Sequence, residues 1–158
     1  MKNKLKYLPC ITTLAVMIII FIFSSQNAED SSQTSTGFMQ FIINIINSVF
    51  NTSHSPSLAE EIDFFVRKAA HFSIFALLGL NVCWMLVWLI EYITKSRVVL
   101  ASAIFCFIYA CTDEVHQLFS SGRSCRFADV ILDTAGGIFG AICFLILIWI
   151  IEIFHKRR

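Results

Sequence analysis

The chain has 158 residues, 57% of them hydrophobic and 16 of them phenylalanine, with a formal net charge of +1. A soluble domain of this length has too little interior to hide so much apolar side chain, and a mean hydropathy of +0.74 indicates an integral membrane protein. A near-neutral balance with no basic face excludes nucleic acid as a partner, and six cysteines without a Cys-x-x-Cys pair exclude a zinc ribbon or dithiol motif.

Lys2, Lys4 and Lys6 precede an apolar run from Leu8 to Phe23. No small-x-small cleavage site follows, so the run is expected to be a retained first span, about 8–25, rather than a signal peptide. Residues 27–37 are polar and read as a loop. From Phe38 to Phe50 the pattern changes: Gln40, Asn44, Asn47, Ser48 and Asn51 recur at helical spacing among Phe, Met, Ile and Val. That pattern predicts an amphipathic helix too short to span, lying at the outer interface or roofing the bundle. After Pro56, Ser57-Leu-Ala-Glu60 is a capping box that opens a helix. The helix runs through Arg67, Lys68 and His71 into a second span, about 64–90. Residues 91–97 form a charged turn before a third span, 98–119, which carries Asp113, Glu114, His116 and Gln117 near its end. A loop over 120–126 leads to a fourth span, 127–154, and a tail of His155, Lys156, Arg157 and Arg158. The fold class is therefore all-α integral membrane: four transmembrane helices, with the amphipathic helix in the first extracytoplasmic loop.

The basic N-terminal flank, the turn holding Lys95 and Arg97, and the basic tail fall on one side if both termini are cytoplasmic, which satisfies the positive-inside rule. Arg67, Lys68, Arg123 and Arg126 then lie outside, against the trend, and border the carboxylates. Four separated pieces are predicted to meet at that outer face: Ser24-Ser25-Gln26, Arg67/Lys68/His71, Asp113 to Gln117, and Asp129/Asp133. Helical spacing puts Lys68, His71, Phe75 and Gly79 on one stripe of the second helix. It puts Asp113, His116 and Gln117 on one arc of the third, with Glu114 to its flank. On the fourth, Asp129, Asp133, Gly136 and Gly140 form a stripe, and Gly136-x-x-x-Gly140 permits a close helix approach. Cys111 and Cys125 are the pair able to bridge on an oxidising side; unpaired, buried thiols are the expected state.

These blocks resemble the VanZ-like membrane proteins. The resemblance lies in Phe23 to Gln26 after the first span, Arg67 to Phe72 at the second, Asp113 to Arg123 at the third, and Asp129 to Gly140 on the fourth. It spans nearly the whole chain, and the Asp-Glu-x-His-Gln-x-Phe-x-x-Gly-Arg block is its most specific part. Many relatives carry a carboxylate soon after the His-Phe pair, where this chain has Ile74. The resemblance implies a cell-envelope role and tolerance of the glycopeptide teicoplanin.

Two functional readings follow. In the first, a non-enzymatic pocket binds an anionic lipid-linked or peptidyl ligand, such as a lipid headgroup, a lipid-linked cell-wall precursor or a glycopeptide. Arg67, Lys68 and Arg123 hold the anion, Asp113, Glu114, His116 and Asp133 orient them, and His71, Gln117, Asp129, Ser25 and Gln26 line the hollow. In the second, a hydrolase or transferase uses Asp113, Glu114 and His116, with His116 or Glu114 as base. His71, Asp113, His116 and Asp133 also form a donor set suited to zinc or manganese. Asp129 and Asp133, one turn apart, are alternatively a proton-sharing pair. Against all of these stands a purely structural network of internally paired charges, with Arg123 on Asp113 or Asp129.

Overall fold

The computed structural model describes residues 7–25, 56–119 and 125–156, with side chains in the second stretch at position 62 and from 64 onward. These residues form four helices: α1 (Leu8–Ser24), α2 (Pro56–Leu89), α3 (Lys95–Gln117) and α4 (Phe127–Lys156). The expected interfacial helix over 38–50, the side chains of the Ser57–Glu60 capping box, Gln26 and Arg123 lie outside the described residues.

Three helices contain segments long and apolar enough to cross a membrane: Phe64–Leu89, Lys95–Gln117 and Phe127–Lys156. The first helix is equally apolar in character but has 17 residues, about 26 Å at the usual rise per residue. That falls slightly short of a hydrocarbon core of about 30 Å. Pro9 sits in its first turn, where a missing N–H costs nothing. Polar side chains within the helices fold back on their own backbone. Thr13 Oγ1 donates to Pro9 O at 2.7 Å, Asn81 Nδ2 to Leu77 O at 2.8 Å and Thr134 Oγ1 to Val130 O at 2.7 Å. An apolar surround demands this, because no solvent is there to take the donor.

The distribution of side chains is inverted relative to a water-soluble bundle. Ile11, Leu14, Ile18, Leu100, Ile104, Phe139 and Trp149 face outward, whereas Asp113, Glu114, Gln117 and Asp133 are buried. Each helix turns a narrow stripe inward: Thr13, Val16, Ile20 and Ser24 on α1; Phe75, Leu78 and Val82 on α2; Ser102, Cys106, Ala110 and Asp113 on α3; Val130, Asp133, Gly137 and Gly140 on α4. The most extensive packing is between α2 and α4, and glycine makes it possible. A Cβ at Gly140 would strike the Ala76 carbonyl, one at Gly136 the Phe72 carbonyl, and one at Gly79 the Gly137 carbonyl. Backbones therefore touch along this seam, as small-residue helix pairs in membranes do. All six cysteines are free; Cys83 and Cys106 are buried and Cys125 is exposed.

Candidate functional site

The C-terminal ends of α1 and α3, the early turns of α2 and the N-terminal turns of α4 share one end of the bundle. The seam explains why. Gly136 admits the Phe72 carbonyl, so His71, the neighbour of Phe72, is carried to the level of Asp133, one turn before Gly136. His71 Nδ1 lies 3.7 Å from Asp133 Oδ2, too far for a hydrogen bond. Asp113 joins them from α3: one ligand atom each from His71, Asp113 and Asp133 lie within 4.8 Å of one another. Asp133 is fully buried, and among the described residues neither of its oxygens has a hydrogen-bond partner. Asp113 is held by Gln117, one turn on, whose Nε2 donates to Asp113 Oδ2 at 2.9 Å and reaches Ser24 Oγ at 3.4 Å.

Closer to the end of the bundle, Lys68 pairs with Asp129, both partly exposed, and the ammonium also sits 5.3 Å from the centre of the Phe64 ring. Glu114 is turned inward, with only 2% of its surface accessible. This corrects the expectation that it lies on the flank of α3. Just before α4, the Arg126 backbone N–H donates to Glu114 Oε2 at 2.8 Å. The Cys125 thiol bonds to the same carboxylate. Partial desolvation and then the Glu114 charge push that thiol above its ordinary range.

His116 takes a different direction from Asp113 and Gln117. Its ring stacks on Phe21 at a centroid separation of 4.3 Å, and its Nε2 lies 3.0 Å from Ser25 Oγ. Ser25 Oγ also lies 2.7 Å from Phe21 O, so its single proton goes to that carbonyl or to the imidazole according to the histidine tautomer. Asp113, Glu114 and His116 each turn to a separate partner.

Of the metal donors suggested by residue type, His71, Asp113 and Asp133 converge and His116 faces α1. Of the expected ligand-binding set, Lys68, Asp129, Gln117 and Ser25 line the same end, and Arg67 lies one residue before Lys68 in α2, partly buried. Sequence reasoning missed the clamp on the α1 side. Tyr109 Oη donates to Met17 O at 2.6 Å, whereas the contact of Ser24 with Gln117 is among those expected. A tyrosine within an apolar span was the signal for the clamp, since its hydroxyl must find a partner.

Comparison with curated proteins finds no match, and comparison with solved structures finds none. The family model described as VanZ/LLP1 matches residues 10–149. That interval contains all four helices' polar ends, from Ser24 to Asp133, and the chain belongs to the VanZ/LLP1 family.

Proposed function

We propose that this chain is a four-span envelope protein, both termini cytoplasmic, whose outward-facing polar end binds the charged head of a lipid-linked or peptidyl ligand. The observation that carries this reading is the layering at one end of the bundle. The partly exposed Lys68–Asp129 pair forms a rim, and the carboxylates of Asp113, Glu114 and Asp133 are buried at the same end. Such an arrangement suits a ligand with an anionic group held at the rim and amine or hydroxyl groups below it. The first helix is short for a span, and its hydroxyl-rich ends reach into the headgroup layer. Binding a wall precursor or a glycopeptide at this end would alter glycopeptide susceptibility, in keeping with the family.

Native mass spectrometry of the detergent-released protein tests this. An anionic lipid-linked or peptidyl adduct is expected on the wild type and depleted in Lys68→Glu. A protein without adduct, or equal occupancy in the variant, overturns the reading. In cells, expression of the chain is expected to raise the teicoplanin concentration needed for inhibition, and Lys68→Glu to remove the gain.

The alternative is a hydrolase or transferase on a lipid-linked envelope substrate. What favours it is the placing of a half-buried imidazole, His71, against two buried carboxylates, a set able to accept and hold a proton. Turnover of an added lipid-linked precursor, lost in Asp133→Asn, would support the enzyme. An adduct that stays chemically unchanged supports the binder.

A further inference from the structure

We infer that His71, Asp113 and Asp133 form a divalent transition-metal site, of the kind that takes Zn²⁺ or Mn²⁺, inside the bundle beneath the Lys68–Asp129 pair. The inference rests on this triad alone and not on the ligand reading above.

Three observations carry it. First, donor atoms from three different helices lie within 4.8 Å of one another. Two ligands of one ion sit up to about 4 Å apart when each bond is near 2.1 Å, so small rotations of the side chains close the site. Second, Asp133 is fully buried with no hydrogen-bond partner for either oxygen among the described residues, and its closest positive candidate, His71 Nδ1, stands at 3.7 Å. Unmet carboxylate oxygens aimed at an imidazole and a second carboxylate are what a cation needs and what an internal salt network would have satisfied. Third, Asp113 is already oriented from outside the triad by the Gln117 amide at 2.9 Å, in the way that outer partners fix a metal-binding carboxylate.

Charge and donor type select the ion. Two ionised carboxylates and a neutral imidazole sum to −2, which a divalent cation cancels inside the apolar bundle. The neighbouring Lys68–Asp129 pair adds no net charge. One nitrogen and two oxygens favour zinc or manganese over calcium, which requires more oxygen ligands than the triad supplies. His116, stacked on Phe21 and bonded to Ser25, is not a ligand.

The test is direct. Full-length protein purified in detergent, stripped with chelator and dialysed, is titrated separately with Zn²⁺, Mn²⁺ and Ca²⁺. Bound metal is measured by elemental analysis and thermal stability is followed in parallel. The expected result is one Zn²⁺ or Mn²⁺ per chain with a rise in melting temperature, and weak or no response to Ca²⁺. Asp133→Asn and, separately, His71→Gln are expected to lose on the order of a hundredfold in affinity while keeping their helix content, and Gln117→Ala about tenfold. His116→Ala is expected to bind as the wild type does. Absence of stoichiometric metal in the wild type would overturn the assignment. So would undiminished binding by folded His71→Gln or Asp133→Asn, or a loss in His116→Ala equal to theirs. If one substitution unfolds the protein, the other decides.

Discussion

A carboxylate enclosed between helices costs several kcal/mol unless something compensates it, and among the described residues Asp133 faces an imidazole beyond bonding distance and a second acid. In chelator, Asp133→Asn should therefore melt at or above the wild-type temperature, because it removes an uncompensated charge at constant shape. A fall in melting temperature would mean that Asp133 is a structural partner instead. The Lys68–Asp129 pair, a quarter exposed, is a weaker matter: Lys68→Ala should cost about 1 kcal/mol or less in thermal unfolding. Glu114 acts on Cys125 by charge and by accepting its S–H, both of which favour the neutral thiol. Removing the charge lowers the thiol pKa, so more thiolate is present at a fixed pH and alkylation speeds up. Glu114→Gln should accelerate maleimide labelling of Cys125 several-fold at pH 8, and an unchanged rate would remove the contact. The burial of Glu114 was not legible from spacing, because it depends on the Arg126 amide arriving from beyond α3.

Between elements, the α2–α4 seam sets the position of the site. Gly140→Val should lower stability by about 1–3 kcal/mol, since its side chain meets the Ala76 carbonyl and backbone cannot step aside. Ile142→Ala, on the outward face of the same helix, should stay within about 0.5 kcal/mol. Denaturation in mixed micelles checks both, and comparable losses would show that the seam is not specially tight. The glycine stripe and the alignment of Asp129 with Asp133 could be read from the sequence because a helix repeats every few residues. Spacing within one helix also put Lys68 and His71 on the stripe of Phe75. What spacing cannot supply is the neighbour. Asp113, His116 and Gln117 lie on one arc by periodicity, yet Phe21 of α1 draws the imidazole away while Gln117 stays with Asp113. That divergence is a packing outcome between α1 and α3, and it separates His116 from the donor set that residue type alone had suggested.

For the whole molecule, apolar side chains outside and carboxylates inside identify the solvent as lipid, and composition already implied this. The number of long apolar helices followed less directly. α1 falls at the margin of spanning length because Ser24 and Ser25 turn from lipid toward the polar end. If the chain spans four times with that end outside, a rim position and a position at the other end lie on opposite sides of the membrane. Single-cysteine variants decide it: one keeps native Cys125 as its only thiol, one carries Ser25→Cys and one Lys95→Cys, each treated in intact cells with an impermeant maleimide. Positions 25 and 125 should label without permeabilisation, and position 95 only after it. Labelling of position 25 and position 125 from opposite sides, or of both only after permeabilisation, would contradict a single outward-facing polar site.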